Sequence, residues 1–229
     1  MHRSHLGLVG VATLGLVALS LLGSRLAGAD SPRDSRYAPA PAPVPGDSHR
    51  VATFAGGCFW SMQKAFDGVP GVSKTTAGFA GGSSAKPSYE QVSEGETGHA
   101  ESVQLVYDPD KISYERLLDI YWHHIDPLTL NRAFCDHGAQ YRSIIFYHDA
   151  EQQRLAEASK RALDQSHRFS SPIVTAVQPA TPFYPAEEYH QQFYKKYPAR
   201  YEAYRIGCGR DQRIRELWGD EVVSKGAEK

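Results

Sequence analysis

One cysteine stands in a setting that favours nucleophilic chemistry. Cys58 follows two glycines and a short stretch, residues 51–54, with the composition of a β-strand, whereas residues 61–66 have helical composition. The first turn of a helix carries unpaired N–H groups and the positive end of the helix dipole. At such a junction we expect the pKa of Cys58 to fall below the ~8.5 of a free thiol. The alternative is a small buried apolar residue, as many unpaired cysteines are.

The other cysteines bear on what a reactive Cys58 could do. The chain has three cysteines, so at least one thiol lies outside any intramolecular pair. Cys208 lies between Gly207 and Gly209, where the backbone is free to bend. Cys135 falls in a stretch with little periodicity, residues 128–140, and long loops of this kind often carry function.

Composition limits the classes of protein to consider. The 229 residues are 41% hydrophobic and 22% charged, as in a soluble globular protein of one domain with appendages. The net charge of −1 gives no indication of nucleic-acid binding. Three cysteines are too few for a disulfide scaffold.

The chain divides into four predicted segments. Residues 1–29 have the layout of a secretory signal peptide, with a basic start, an apolar run and a small-x-small site before Asp30; an uncleaved membrane anchor is the alternative. Residues 30–48 are a Pro/Ala-rich linker. A catalytic domain is predicted over 49–206, and a tail that carries Cys208 over 207–229. We therefore expect an exported protein in the periplasm, or one anchored to the membrane.

Strand and helix patterns alternate from Arg50 onward, which favours an α/β or α+β domain. The strand candidates after the first are residues 72–79, 99–107, 141–147 and 173–177. The helix candidates are a turn near residue 88, a helix capped by Ser113, a helix over 150–166, an aromatic helix from Pro185 through Tyr194, and a short one over 212–218.

Four motifs, in order, resemble the class A peptide methionine-S-sulfoxide reductases. They are Gly-Cys-Phe-Trp at 57–60, Thr-Gly-His-Ala-Glu at 97–101, Asp-His-Gly-Ala-Gln-Tyr-Arg-Ser at 136–143, and Thr-Pro-Phe-Tyr at 181–184 followed by Glu187, Glu188 and His-Gln-Gln at 190–192. The resemblance runs from about residue 51 to residue 190, and a family-like cysteine tail follows.

The resemblance implies an α+β fold: a mixed sheet with a ferredoxin-like βαββαβ core, flanked by helices and long coil. It implies an enzyme that reduces methionine-S-sulfoxide, free or in oxidised proteins, to methionine. It implies a monomer with no metal and no organic cofactor. The partner would be a thioredoxin-like reductant, and for an exported enzyme that donor must itself be exported.

The resemblance also implies a role for each matching residue. Cys58 would attack the sulfoxide sulfur, and Cys208 would then form a disulfide with it. The remaining residues would bind substrate: Phe59 and Trp60 at the ε-methyl group, Glu101, Tyr89 and Tyr141 at the sulfoxide oxygen, and Asp136 and His190 in the pocket wall. A carboxyl in a partly apolar pocket keeps its proton longer than in water, so we expect Glu101 to be neutral at pH 7.

Several alternatives stay open at this point. Cys135 stands where many family members have the asparagine of a Gly-Asn pair; it would compete with Cys208, join a second disulfide, or be an inert buried thiol, which we slightly favour. A cysteine hydrolase would pair Cys58 with His99, His137 or His190. A Cys/His metal site lacks the close ligand spacing of zinc sites.

Overall fold

The computed structural model describes residues 49–219. The predicted signal peptide or anchor, the linker over 30–48 and the last part of the predicted tail, 220–229, lie outside the described residues. Within the described range, no helix has the length and apolarity that crossing a membrane requires.

The described chain is built on a six-stranded sheet with the order β7-β6-β1-β3-β2-β8. Its strands are β1 (Arg50–Ala55), β2 (Val72–Ala80), β3 (Ala100–Tyr107), β6 (Ile144–Tyr147), β7 (Ala176–Pro179) and β8 (Tyr184–Pro185). A separate two-stranded ladder pairs β4 (Arg132–Ala133) with β5 (Asp136–His137).

The central four strands, β6-β1-β3-β2, are antiparallel throughout, and α1 and α3 provide the two crossovers. This is the βαββαβ arrangement, so the predicted α+β fold with a ferredoxin-like core is confirmed. The helices are α1 (Phe59–Phe66), α2 (Tyr89–Ser93), α3 (Tyr114–Trp122), α4 (Ala150–Gln165), α5 (Phe193–Lys196), α6 (Pro198–Gly207) and α7 (Arg210–Trp218).

The main core fills the space between the sheet and the helices that cover one of its faces. Phe54 of β1 is fully buried and stacks on Phe66 of α1 and on Tyr121 of α3, with ring centroids 5.4 and 5.0 Å apart. The hydroxyl of Tyr121 donates to the carbonyl of Ala55 at 2.8 Å, so the buried phenol has a partner. These contacts fix the end of β1, and Cys58, the candidate nucleophile, comes three residues after it.

Polar caps determine where several helices begin. Ser113 and Asp149 accept from the backbone N–H groups of Arg116 and Gln152, so α3 and α4 begin where the sequence predicts. Ser88 and Gln91 form a reciprocal capping box that starts α2.

The predicted aromatic helix from Pro185 does not form as one piece. A short 3-10 turn covers Glu188–His190, and α5 starts only after Gln192, whose φ of 50° is left-handed. The side chain of Gln63 accepts from the backbone N–H of Gln192 at 2.7 Å, and this tertiary contact holds the break.

Two strand predictions are shifted along the chain. The strand predicted at 173–177 lies at Ala176–Pro179, where it pairs in parallel with β6. The strand predicted from Tyr141 begins at Ile144, because Tyr141 ends a 3-10 turn that starts at Ala139.

The described part of the tail is built into the domain. Ile214, Leu217 and Trp218 of α7 are buried in the same core cluster as Phe54. The structured domain therefore continues past residue 206 to the end of α7.

Candidate active site

Cys58 lies at the junction that the sequence predicts, between the end of β1 and the first turn of α1. Gly57 has a φ of 86°, and Cys58 is the N-cap residue of the helix. Its carbonyl accepts from the N–H groups of Ser61 and Met62 at 3.1 and 3.3 Å. The side chain is buried, 6% exposed, and its thiol is free.

The expected lowering of the pKa of Cys58 is wrong for this state of the protein. Burial raises the pKa of the thiol well above its ordinary value, and the nearby carboxyls of Glu101 and Asp136 raise it further. A hydrogen bond from Tyr204 and one from the backbone of Trp60 act in the opposite direction. Desolvation outweighs the helix terminus here because the sulfur has almost no contact with water.

Glu101 is the acid of the site. It is the second residue of β3, is 3% exposed, and its Oε2 accepts from the backbone N–H of Phe59 at 2.9 Å. Burial raises the pKa of Glu101 to about 8. The protonated form of the carboxyl is therefore favoured at pH 7, the state that the sequence analysis expects.

Two phenols lie close enough to the acid and the thiol to interact with both electrostatically. Tyr89 is the first residue of α2, and Tyr141 ends the 3-10 turn after β5. Burial, followed by the charges of Glu101 and Cys58, raises the pKa of Tyr89 to about 12, and the same causes raise that of Tyr141. Both remain O–H donors at neutral pH.

An aromatic wall borders the thiol. The ring of Phe59 lies 6.4 Å from that of Tyr89 and 5.1 Å from that of His190. Trp60 stacks on Phe193 with ring centroids 3.7 Å apart. Phe59 and Trp60 of the Gly-Cys-Phe-Trp motif therefore belong to one aromatic cluster.

His190 is neutral and has a defined tautomer. Trp60 Nε1 can only donate, and it donates to Nδ1 of His190 at 3.0 Å, so the ring proton lies on Nε2. Burial lowers the pKa of His190 to about 4. Its Nε2 is buried without a hydrogen-bond partner among residues 49–219.

The disulfide of this structure joins Cys135 to Cys208 and leaves Cys58 free. The predicted Cys58–Cys208 disulfide is therefore not the one present, and the prediction of an inert Cys135 is wrong. The turn between β4 and β5 explains the pairing, because it brings the backbone N–H of Cys135 to 3.1 Å from the sulfur of Cys208. Phe134, with a left-handed φ of 57°, makes that turn.

Tyr204 connects the thiol to the disulfide, and the sequence analysis missed it. Its hydroxyl donates to Oδ2 of Asp136 at 2.6 Å, interacts with the sulfur of Cys58 and lies 4.0 Å from the sulfur of Cys208. Asp136 is thereby oriented beside Cys135. The signal in the sequence was the i, i+4 spacing between Tyr204 and Cys208, which becomes informative only once α6 is known.

Neither alternative chemistry has a supporting arrangement in the described part of the chain. No histidine ring among residues 49–219 is hydrogen-bonded to Cys58, and both ring nitrogens of buried His99 lack partners. The metal-compatible grouping found in that range is Cys135, Asp136 and Cys208, with ligand atoms within 4.8 Å of one another. Its two sulfurs are bonded to each other, so they cannot act as thiolate ligands while the disulfide persists.

Comparison with known proteins agrees with this geometry. A family model described as "Peptide methionine sulfoxide reductase" matches residues 50–222. The peptide methionine sulfoxide reductase MsrA of Bacillus licheniformis is 50% identical over 173 residues, which are 76% of this chain and 96% of that protein. The MsrA of Bacillus subtilis is also 50% identical over 173 residues, 76% of this chain and 98% of the relative.

Solved structures give the same fold. The reduced form of Mxr1 from Saccharomyces cerevisiae superposes with a TM-score of 0.61 at 31% identity, covering 66% of this chain and 87% of that one. The methionine sulfoxide reductase A of Corynebacterium diphtheriae superposes with a TM-score of 0.60 at 30% identity, covering 69% and 83% of the two chains.

Proposed function

We propose, from the premise that the chain belongs to the peptide methionine sulfoxide reductase family, that Cys58 reduces methionine-S-sulfoxide with Glu101 as its proton donor. The enzyme is an oxidoreductase that returns methionine sulfoxide to methionine. The observation that carries the assignment of residues is that one buried thiol, one buried carboxyl with a raised pKa and two phenols lie within electrostatic reach of one another.

Substrate binding follows from the lining of the pocket. The rings of Phe59 and Trp60 offer an apolar surface for the ε-methyl group of the sulfoxide. His190 accepts from Trp60 Nε1 at 3.0 Å and so orients the indole in that wall. Asp136, fixed by Tyr204, shapes the opposite wall.

The reduction is an oxygen transfer whose atoms balance without an added reductant. The Cys58 sulfur attacks the sulfoxide sulfur and forms an S–S bond as the S–O bond of the substrate breaks and the oxygen leaves as hydroxide. That hydroxide then attacks the Cys58 sulfur, the S–S bond breaks, and methionine leaves while Cys58 becomes a sulfenic acid. Glu101 protonates the departing oxygen, and the thiol proton replaces the one that the acid gave. Tyr89 and Tyr141 donate hydrogen bonds to the oxygen as charge develops on it.

Recycling uses the other two cysteines in sequence. Cys208 condenses with the sulfenic acid, releasing water and forming a Cys58–Cys208 disulfide. Cys135 then attacks the sulfur of Cys208, which frees Cys58 and leaves the Cys135–Cys208 disulfide present in this structure. Because Cys135 is exposed, this disulfide is accessible to a thioredoxin-like donor.

The assignment of Cys58 is tested by turnover with a dithiol reductant. Wild-type protein should reduce the S epimer and not the R epimer, and Cys58→Ser should lose at least 10³-fold in rate, because the nucleophile is absent. Cys135→Ser is the matched control, since a small dithiol can reduce Cys58–Cys208 directly and turnover should persist. Retained activity in Cys58→Ser would contradict the proposal.

We further infer that the enzyme is exported and works as a monomer. The support for export is the signal-like sequence of residues 1–29. Fractionation of cells that make the full chain, with N-terminal sequencing, should find a processed or membrane-bound protein outside the cytoplasm. An unprocessed cytoplasmic protein would contradict export, and a dimer in analytical ultracentrifugation would contradict the monomer.

A further inference from the structure

A buried arginine lies directly behind residues 56–58, the turn between β1 and α1 that carries Cys58 and is called the catalytic loop below. Arg210, the first residue of α7, is 1% exposed. Its Nη2 donates to the carbonyl of His124 at 2.8 Å and to that of Gly56 at 3.3 Å. Its guanidinium carbon lies 4.2 Å from the centre of the Phe134 ring, a cation–π contact.

The charge of Arg210 has no direct counter-ion. No carboxylate within residues 49–219 forms an ion pair with it, and its Nη1 is buried without a hydrogen-bond partner. A buried, unpaired cation is costly, so its retention in a folded core calls for a compensating interaction. Two carbonyls and a ring face compensate it only in part.

The free nitrogen borders the residue that precedes the nucleophile. A Cβ placed on Gly57 would lie 3.6 Å from Nη1 of Arg210. The groups that act electrostatically on Arg210 are Tyr204, Cys58, Arg205 and Tyr201, and Arg210 in turn acts on Asp136. Of these, Cys58 is the one that must become an anion for the proposed attack.

We propose that Arg210 is a positioning residue that stabilises the Cys58 thiolate during attack on the sulfoxide. This inference rests on the proposed function of Cys58. Glu101 is needed as a neutral acid, and burial disfavours a thiolate, so the thiolate needs a cation that does not exchange protons. A guanidinium has this property, since it stays protonated throughout the working pH range.

The interaction between thiol and guanidinium is reciprocal. Burial lowers the pKa of Arg210, and the charges of Tyr204 and then of Cys58 act against it. The same coupling must lower the pKa of Cys58 relative to a site without the cation. Removing the charge should therefore reduce the thiolate fraction at any pH below that pKa.

Alkylation of Cys58 tests this without relying on sulfoxide reduction. In a Cys135→Ser, Cys208→Ser background Cys58 is the only thiol, and its rate of reaction with iodoacetamide from pH 6 to 10 reports the thiolate fraction. Arg210→Met should slow alkylation about tenfold or more at pH 7, which corresponds to a pKa raised by about one unit. Arg210→Lys, which keeps the charge, should stay within about threefold of the parent.

Arg213→Met is the matched control, because Arg213 lies on the same helix and pairs with Asp126 at 2.8 Å. In the Arg213→Met variant, the alkylation profile of Cys58 should not change. The inference is overturned if Arg210→Met keeps the parent profile, or if Arg210→Lys or Arg213→Met slows alkylation as much as Arg210→Met does. If Arg210→Met does not fold, two other variants decide. A tenfold slower alkylation of Cys58 in Arg210→Lys would overturn the inference, and so would an unchanged alkylation profile in a folded Arg210→Gln. These outcomes are separate from loss of the proposed function, which the Cys58→Ser turnover assay measures.

Discussion

In the mechanism we propose, the reaction depends on a single proton held by Glu101. The carboxyl is buried and accepts one hydrogen bond from the backbone N–H of Phe59, which favours its charged form. Desolvation is the larger effect, and it keeps the acid protonated up to a pKa of about 8. In the proposed mechanism this acid supplies the proton at the moment when the S–O bond breaks.

Replacing this acid should slow the chemical step. In Glu101→Gln we expect the single-turnover rate of methionine formation to fall about 10²-fold or more, since a positioned general acid is lost. Glu101 can donate a proton below its raised pKa of about 8 and cannot above it, so the wild-type single-turnover rate should fall as pH rises through 8. This fall should be absent in Glu101→Gln.

Glu188→Gln is the control for this experiment, because its side chain is 88% exposed and pairs only with Lys196 at the surface. Its rate and pH profile should match the wild type. A Glu101→Gln variant with the wild-type single-turnover rate would exclude Glu101 as the proton donor.

Most of the residues that sequence reasoning found belong to contiguous motifs, whereas Tyr89 and Cys208 lie outside them. Cys58 and Glu101 were predicted as neighbours, and the structure brings them together through the N–H of Phe59. Tyr204 and Arg210 lie in no such motif, and they reach the site only because α6 and α7 fold back onto it. Their roles depend on tertiary contacts that local sequence does not encode.

At the scale of elements, the turn between β1 and α1 determines the position of the nucleophile. Gly57 needs its φ of 86°, and a Cβ there would lie 2.6 Å from Cβ of Ala133 in β4. No residue with a side chain fits this position without moving the ladder that carries Cys135. The catalytic loop and the ladder are therefore packed as one unit.

Gly57→Ala should lower the free energy of unfolding by about 3 kcal/mol, combining backbone strain with overpacking. Gly68→Ala is the control: its φ of 81° is also left-handed, but nothing lies within 4 Å of the added Cβ, so about 1 kcal/mol is expected. Urea unfolding of the oxidised proteins measures both. Equal losses would show that the close contact with Ala133 is not a constraint.

Element types were predicted better than element limits. Caps such as Ser113 and Asp149 act locally, so the starts of α3 and α4 follow from sequence. The break at Gln192 depends on the distant side chain of Gln63 and is invisible to a local pattern. The partner of Cys208 was likewise misjudged, because the turn that presents Cys135 forms only in the folded loop.

At the scale of the whole molecule, the end of the described chain stabilises the core rather than extending from it. Trp218 is 2% exposed, with ring centroids 4.4 Å from His123 and 5.3 Å from Phe169. Because α7 is anchored in this way, Cys208 and Arg210 are held close to the catalytic loop.

Trp218→Ala should cost about 3–5 kcal/mol in the free energy of unfolding, as for other buried aromatic side chains. Ile206→Ala is the control, since Ile206 is 69% exposed and should change stability by less than about 0.5 kcal/mol. Denaturant unfolding followed by circular dichroism distinguishes them. A Trp218→Ala protein as stable as wild type would mean that α7 does not contribute to the core.

The central claim is that Cys58 takes the oxygen atom and the other two cysteines remove it. The most direct measurement is mass spectrometry of fully reduced full-length protein, freed of reductant, given one equivalent of methionine-S-sulfoxide and then alkylated. We predict one methionine formed per chain, Cys58 alkylated and Cys135 linked to Cys208, with Cys58 linked to Cys208 in Cys135→Ser. Formation of methionine and of the Cys135–Cys208 disulfide at an unchanged rate in Cys58→Ser would contradict the account.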